Sequence, residues 1–244
     1  MGRYERIAQL ARLDAPGLNI ADLATGQGRQ VRALLAAATA AGLPVRIHAV
    51  DVASSLDDEI LNDDRVRSVT ADLNEPLPFR DGVLDRVISL NVAEHVADPA
   101  EHLRECHRVL KPGGLLVLAH SDWDTALFAS EDDALTRQLV DRFVLTVPSF
   151  ADRADGFMGR KLLGLALDSP LELVSVDTWA DCHRRFDQTS VGWKVAMGVL
   201  AAVREDAKLS ARAATWVEGL ARRAAQGRFL FTVTDVAVVL RRPQ

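Results

Sequence analysis

The stretch LNIADLATGQG, Leu18–Gly28, decides the fold of this chain. Its first part, Leu18–Leu23, is mostly apolar, as in a strand that is buried on both faces of a sheet. Two glycines follow, Gly26 and Gly28, and then a segment rich in alanine and leucine with helical periodicity over about 30–41. A glycine turn between a buried strand and a helix is typical of the first unit of a parallel α/β sheet.

The alternation of strand and helix continues along the chain. Strands are predicted at 45–50, 66–70, 84–90, 115–119, 171–179 and 228–240, and helices at 56–61, 99–110, 125–147, 156–167 and about 190–225. Together with the first strand this predicts an α/β fold with a doubly wound, mostly parallel seven-stranded sheet. We expect a single domain over 1–244, with a cofactor-binding core at 1–120. A helical substrate cover is predicted in the C-terminal half, at about 121–170 and 180–226.

Composition narrows the class of protein. The 244 residues, 48% hydrophobic and 26% charged, suit an ordinary globular domain. The net charge of −5, without a basic stripe, argues against nucleic acid as a partner. Two cysteines cannot build a disulfide framework, no apolar run approaches the roughly 20 residues that cross a bilayer, and no apolar signal core follows Met1. These features predict a cytoplasmic protein without a membrane partner, either a monomer or a homodimer.

Polar residues stand at or just past the ends of the predicted strands, where ligands bind in open parallel sheets. Glycine lets the backbone approach a ligand closely, and the following helix offers its N-terminal amides. A Gly-x-Gly pair alone, however, equally fits an ordinary strand-to-helix turn. The strand-end residues are Asp22, Gly26, Gly28, Asp51, Asp72, Asn91 and His120.

The glycine spacing bears on the choice of cofactor. A dinucleotide fingerprint needs a third glycine, and Val31 stands at that position when the motif starts at Gly26. The Gly-Lys-Ser/Thr sequence of a P-loop is also absent. Asp51 lies 23 residues after Gly28 and can accept hydrogen bonds from two ribose hydroxyls, while Asp72 can accept one from an adenine amine. Both aspartates also fit a turn or a helix cap.

The residues from about 18 to 120 resemble a known family. Asp22–Gly28 resembles the first motif of class I S-adenosylmethionine-dependent methyltransferases, usually DLGxGxG. Ala24 replaces its first glycine, which alanine tolerates where the backbone φ is negative. The segments LPFRDGVLDRVIS (77–89), NVAEHVADP (91–99) and RVLKPGG (108–114) resemble the type 11, ubiquinone-biosynthesis-like branch. The resemblance is weaker over 122–125, 159–162 and the final strand.

The resemblance implies a Rossmann-like fold and S-adenosylmethionine as cofactor. By resemblance, Asp51 holds the ribose, Asp72 and Leu73 frame the adenine, and Asn91 meets the methionine portion. The residues that line the methionine end are Asp22, Ala24, Thr25 and Gly26; Gly28 and Val52 complete the predicted cofactor set. The implied reaction is methyl transfer to an oxygen or nitrogen, less readily a carbon, of a small organic molecule such as a bacterial secondary metabolite.

A general base is needed only where the methyl acceptor must lose a proton. His120 is the first choice, because it follows the fifth predicted strand and histidine titrates near neutrality. His95 is the second choice, because in some members of the resembling family this position lies near the donor methyl group. Either histidine alternatively makes an ordering hydrogen bond in its loop. Asp122 and Asp124 would orient His120 or cap the next helix.

Other activities are disfavoured but remain alternatives. His102 and Cys106 are four residues apart on one helix face, as metal ligands are, but the resemblance places them on a helix of non-ligands. No metal is therefore predicted. One alternative is a non-catalytic or repurposed member that binds S-adenosylmethionine or S-adenosylhomocysteine. A nicotinamide-dependent oxidoreductase is a further alternative, against which the missing third glycine counts.

Overall fold

The computed structural model describes residues 1–53, 55–146 and 155–244. Helices and strands alternate through the first half, and three long strands run through the second. The elements are α1 (Arg3–Leu10), β1 (Leu18–Leu23), α2 (Arg29–Ala41), β2 (Val45–Asp51), α3 (Asp58–Leu61), β3 (Val66–Thr70), β4 (Leu84–Leu90), α4 (Pro99–Val109), β5 (Leu110–Phe128), α5 (Asp133–Leu145), α6 (Met158–Leu167), β6 (Glu172–His183), α7 (Val191–Ala202), α8 (Ala207–Ala225) and β7 (Phe231–Arg241).

The strands form one seven-stranded sheet in the order β3-β2-β1-β4-β5-β7-β6. Strand β1 pairs in parallel with β2 on one side and with β4 on the other, and β2–β3 and β4–β5 are parallel too. The predicted α/β fold with a mostly parallel seven-stranded sheet is thereby confirmed. The strand order reverses between β1 and β4, so the ligand crevice of such a fold lies beyond the carboxyl ends of these two strands.

Central strands and helix α2 supply the core around this crevice. Residues at the middle of β1 and β4, such as Ile20 and Ile88, are fully buried, as expected for strands covered on both faces. Helix α2 buries one apolar stripe with the spacing of a helix face. The side chains of that stripe are Val31, Leu34, Leu35 and Ala38.

Helix α4 fixes the end of the loop that follows β4. The Asp98 carboxylate caps the helix by accepting hydrogen bonds from the Ala100 and Glu101 amides at 2.9 and 3.1 Å. Pro99 occupies the first turn, where its missing N–H costs nothing. The loop 91–98 therefore has a fixed exit, which positions its side chains at the sheet edge.

The chain divides into two compact units. The first comprises 1–120, 161–177 and 236–244, and the second comprises 121–160 and 178–235. The second unit has its own apolar core, built mainly by α5, α7 and α8 and including Leu139, Val199 and Trp216. The assignment of 121–170 and 180–226 as substrate-cover segments stays a prediction.

Several predicted element boundaries were wrong. The fifth strand was expected at 115–119, but β5 begins at Leu110 and continues through His120 to Phe128. Its first residues are held by the C-terminal segment, since the Gly113 amide bonds to the Arg242 carbonyl at 2.9 Å. Helix α4 still ends at Val109, as the stop signal at 111–114 predicts, but this long-range pairing draws 111–114 into the strand that follows. The last residue of the helix predicted at 125–147 lies outside the described residues.

The helical predictions need similar corrections. Helix α5 starts at Asp133, where the Asp132 side chain caps it. The helix predicted at 56–61 shortens to α3, the one predicted at 156–167 begins at Met158, and the segment 190–225 contains two helices rather than one. Among the described residues, no helix combines the length and apolar character needed to span a bilayer.

Candidate functional site

The turn after β1 takes a left-handed backbone at three alternate residues. Ala24, Gly26 and Gly28 have φ angles of 54°, 52° and 80°. A Cβ added at Gly26 would meet no described atom within 4 Å, so this glycine borders open space. A Cβ at Gly28 would lie 2.6 Å from the Ile60 side chain and 2.9 Å from that of Leu56. The turn is therefore open to a ligand at Gly26, while Gly28 is favoured by its left-handed conformation, and a side chain there would have to displace the side-chain ends of Ile60 and Leu56.

The conformation of Ala24 overturns one expectation. Alanine was expected to replace the motif's first glycine at negative φ, yet Ala24 sits in the left-handed region. That region costs a residue with a Cβ roughly 1–2 kcal/mol. The neighbouring Thr25 holds the turn, because its amide bonds to the Val50 carbonyl at 3.0 Å and its hydroxyl donates to Asp22 at 2.6 Å. Strain of this kind persists where surrounding contacts over-determine the backbone.

Two carboxylates lie close to this turn. Asp22 is 2% exposed, and burial raises its pKa to about 7 against the Thr25 hydrogen bond, which lowers it. The nearby Asp51 carboxylate raises this pKa further. A cationic ligand beside the pair would relieve the repulsion and favour ionised Asp22. This pair of acids therefore provides an electrostatic site for a positive charge at the switch point of the sheet.

Asp51 itself is tied to the glycine turn. Its Oδ2 accepts a hydrogen bond from the Gly26 amide at 2.8 Å, and its Oδ1 accepts one from the Val52 amide at 2.8 Å. A carboxylate has about four lone-pair positions, so both oxygens retain capacity for ligand hydroxyls. The structure thus brings together Asp22, Thr25, Gly26 and Asp51, and Val52 follows directly with an exposed side chain.

Asp72 and Leu73 lie beyond the end of β3. The Asp72 Oδ1 accepts hydrogen bonds from the backbone and side-chain nitrogens of Asn74, both at 2.9 Å. The structure therefore shows the turn interpretation of this aspartate, in which Asp72 Oδ1 stabilises the turn at Asn74. Leu73 lines a cavity of about 120 Å³ together with Val96 and His102. The adenine roles of Asp72 and Leu73 stay predictions.

Asn91 follows β4 with a left-handed φ of 55°. Its amide donates to the Ala119 carbonyl at 2.9 Å, and its Oδ1 accepts a hydrogen bond from Arg3 at 3.3 Å. Helix α1 also contacts α2, because the Gln30 side chain donates to the Tyr4 carbonyl at 3.2 Å. Sequence reasoning missed Arg3, since no local motif announces that an N-terminal helix reaches the end of β4.

The two histidines proposed as bases share one carboxylate. Glu94 Oε1 lies 3.4 Å from His95 Nε2 and 3.5 Å from His120 Nε2. His120 lies inside β5 and is fully buried, so the expectation that it follows the strand was wrong. The side chain of His95 is 38% exposed, and burial of the remainder lowers its pKa. Glu94 was missed by the sequence analysis, although it stands beside His95 in the quoted motif.

Asp122 and Asp124 pair with Arg160. The Asp122 carboxylate, 4% exposed, accepts from the Arg160 amide at 3.0 Å and from its guanidinium at 2.7 and 2.8 Å. Hydrogen bonds from Arg160 and then Arg137 hold the pKa of Asp124 below its usual range. Asp122 and Asp124 thus form an ion-pair network with Arg160 and Arg137 in the second unit. They do not cap the next helix, because Asp132 caps α5.

The helix residues with metal-ligand spacing are buried behind β4. His102 Nε2 lies 3.0 Å from the Ser89 hydroxyl and 3.9 Å from the Cys106 sulfur. Burial lowers the pKa of His102 to about 4 and raises that of Cys106 to about 12. Within the residues that the structure describes, no group of three or more His, Cys, Asp or Glu side chains is arranged to hold a metal ion.

Comparison with known proteins gives a consistent result. Residues 21–118 match the family model Methyltransf_11, described as a methyltransferase domain. The chain is 32% identical over 182 residues to an uncharacterized 37.1 kDa protein of transposon TN4556 from Streptomyces fradiae, covering 71% of this chain and 49% of the relative. It is 34% identical over 122 residues to a ubiquinone biosynthesis O-methyltransferase of Xanthomonas oryzae pv. oryzae, covering 49% of each chain.

The chain thus spans about half the length of these two curated relatives. Among solved structures, a geranyl diphosphate methyltransferase in complex with S-adenosylmethionine matches with a TM-score of 0.55 and 15% identity. That match covers 98% of this chain and 84% of the other. At this level of identity the likeness shows a shared fold.

Proposed function

We propose that this chain transfers a methyl group from S-adenosylmethionine to a small organic molecule, a proposal supported by the match of residues 21–118 to the methyltransferase-domain family model. The accepting atom in this proposal is an oxygen or nitrogen, and less readily a carbon. The observation that carries the proposal is the pair of acids at the glycine turn. The Asp51 carboxylate lies beside open space at Gly26, and a cationic cofactor bound there would be stabilised by it and would favour the ionised form of the neighbouring Asp22.

The described residues fit this cofactor. Asp51 would accept hydrogen bonds from ribose hydroxyls, because both of its oxygens are oriented by backbone amides and keep unused lone pairs. Asp22 would balance the positive charge of the methionine end. When bound, S-adenosylmethionine supplies an electrophilic methyl group on a positively charged sulfur. The chain contributes alignment of the reacting groups and exclusion of water, and a base where the acceptor carries a proton.

Calorimetric titration tests the cofactor first. We expect S-adenosylmethionine and S-adenosylhomocysteine to bind with micromolar affinity, and NADH and NADPH to give no heat. Asp51→Ala should weaken cofactor binding at least tenfold, roughly 1.4 kcal/mol, which is the scale of one lost charge-assisted hydrogen bond. Asp64→Ala, an exposed aspartate before β3, is the matched control and should bind as the wild type does.

The outcomes separate the alternatives. Binding of NADH or NADPH alone would overturn the proposal in favour of an oxidoreductase. Cofactor binding without transfer to any acceptor in a screen of hydroxyl and amine compounds would favour a repurposed member of the family. The strained Ala24 at the site is the observation that keeps this second function in view. Transfer of labelled methyl to an acceptor would support the enzyme directly.

We also propose a bacterial secondary metabolite as the acceptor class and the cytoplasm as the location. The bacterial relatives and the absence of a basic stripe in the sequence support the first point. Free Cys106 and Cys182 suit a reducing compartment and support the second. Fractionation of the producing cells tests the location, and methylation of extracted metabolites tests the acceptor class.

A further inference from the structure

We propose that the groove between α8 and the start of α5 binds a small amphipathic acid, which places its carboxylate at Arg222 and its apolar body over Trp216. The groove has a volume of about 420 Å³, within the range of about 300–1,000 Å³ that is usual for small-molecule sites. The residues that line it belong to the second unit. The proposal goes beyond methyl transfer and does not depend on it.

The floor of the groove is apolar. Leu135 of α5 and Trp216 and Leu220 of α8 line it with side chains that are otherwise buried. Ala211 and Gly219 lie along the same helix and carry a methyl group or no side chain, which leaves room above this floor. An apolar group placed there leaves water, and this transfer is the main favourable contribution to binding.

Hydrogen bonds and ring packing hold this floor in place. The Trp216 indole donates to the Thr136 hydroxyl at 2.9 Å, and Phe128 packs edge-on against the indole with 5.0 Å between the ring centroids. The Thr136 hydroxyl donates to the Asp132 carbonyl at 2.8 Å and lies 2.6 Å from the Ser130 hydroxyl. The polar atoms around the indole thus have partners within the protein, so a ligand meets an apolar surface that is already organised.

A guanidinium lies over the groove without an acidic partner. A Cβ added at Gly219 would be 3.6 Å from Arg222 Nη2, so this nitrogen lies above the glycine. Within the part of the chain that the structure describes, the exposed Arg222 side chain makes no hydrogen bond or ion pair. A guanidinium keeps its charge at neutral pH and can donate two parallel N–H groups to one carboxylate. Arg222 therefore selects a ligand with an anionic end.

Acidic side chains line the opposite end of the groove. Arg212 Nη2 lies 3.7 Å from Asp132 Oδ2, and Asp132 Oδ1 accepts a hydrogen bond from the Leu135 amide at 2.8 Å. Glu131 precedes Asp132 and lines the same end. Arg212 and Arg222 are ten residues apart on α8, roughly 15 Å along its axis. The groove therefore orients an elongated acid, because its carboxylate is attracted by Arg222 and repelled by Glu131.

The test is an NMR titration of the whole chain, without cofactor, with octanoate as the probe. We expect a saturable shift of the Trp216 indole N–H resonance, which Trp216→Phe identifies, with a dissociation constant of about 1 mM or lower. Octanol, the neutral counterpart, should bind at least about threefold more weakly, because it offers no charge to Arg222. Indole-3-acetate, titrated in the same way, distinguishes an aromatic from an aliphatic acid.

Variants separate the contribution of the charge from that of the apolar floor. Arg222→Gln should weaken octanoate binding about three- to tenfold and leave octanol binding unchanged. Arg228→Gln, at an exposed arginine that does not line the groove, is the matched control and should bind as the wild type does. Gly219→Leu should abolish the Trp216 shift with both probes, because the new side chain would occupy the groove, and leucine suits a helix better than glycine does.

The proposal is overturned if neither acid shifts the Trp216 resonance, if octanol binds as tightly as octanoate, or if Arg222→Gln leaves octanoate binding unchanged. A thermal melt checks that Gly219→Leu folds, and the exposed Arg222→Gln keeps the test valid if it does not. These titrations need neither S-adenosylmethionine nor methyl transfer. Their failure would therefore remove the acid site alone, whereas failure of the cofactor titration would remove the proposed function alone.

Discussion

The ionisation of Asp22 makes the stability of this protein depend on pH in a direction opposite to that of most carboxylates. Burial raises the pKa of Asp22 from its ordinary 3.8 to about 7. As the pH rises, the unfolded chain releases this proton near pH 4, while the folded chain keeps it until about pH 7. The contribution of Asp22 to stability is therefore complete below pH 4 and is lost as the pH rises through about 7.

The magnitude follows from these two pKa values. Relative to its value well below pH 4, proton linkage lowers the free energy of unfolding by about 1.7 kcal/mol at pH 5 and by about 4 kcal/mol at pH 8. Between pH 5 and pH 8 the free energy of unfolding therefore falls by roughly 2–3 kcal/mol. Asp22→Asn cannot ionise and can still accept the Thr25 hydroxyl. We therefore expect the variant to gain roughly 2–3 kcal/mol relative to the wild type between pH 5 and pH 8.

Urea unfolding at pH 5, 6, 7 and 8 measures this difference, because groups that do not interact with Asp22 titrate alike in both proteins. Asp64→Asn, at an exposed site, serves as the control and should show no such trend. A difference between Asp22→Asn and wild type that stays within about 0.5 kcal/mol over the whole range would refute the reasoning.

Three further predictions concern the turn and the second unit. Ala24→Gly should raise the free energy of unfolding by up to about 1 kcal/mol, because it removes left-handed strain of ~1–2 kcal/mol while glycine increases the conformational entropy of the unfolded chain. Lower stability in urea would contradict this. Gly28→Ala should lower stability by about 1–3 kcal/mol, because its φ of 80° costs a residue with a Cβ roughly 1–2 kcal/mol and the side-chain ends of Ile60 and Leu56 must also shift; an unchanged urea midpoint would contradict this. Arg160→Met should cost about 1–3 kcal/mol, because it leaves the buried Asp122 carboxylate without its guanidinium; a thermal melt like that of the wild type would show that the pair is dispensable.

The placement of the residues predicted to bind the cofactor was largely predictable, because they lie at or just past strand ends. In a parallel sheet, the carboxyl ends of neighbouring strands meet at one edge, so Asp22 and Asp51 had to approach the glycine turn. The hydrogen bond of 2.8 Å from the Gly26 amide to Asp51 shows how close they come. Their binding roles remain predictions that the titrations above will test.

The surroundings of the histidines predicted as bases were less predictable from local sequence. The end of β5 could not be placed, because a strand continues as long as its neighbours pair with it, and those neighbours come from distant parts of the chain. His120 was therefore expected past a strand end and lies buried within the strand. The link from His120 to Glu94 joins residues of β5 and the loop after β4, which no spacing rule connects.

The sequence by itself determined the alternation of strands and helices, the mostly parallel sheet and the polar residues at its edge, because each of these depends on local periodicity and turn residues. Only the tertiary structure decided the left-handed φ of Ala24, the raised pKa of Asp22, the contact of Arg3 with Asn91 and the approach of the Glu94 carboxylate to both His95 and His120. These properties arise from burial and from contacts between segments far apart in the chain, and neither is written in the order of neighbouring residues.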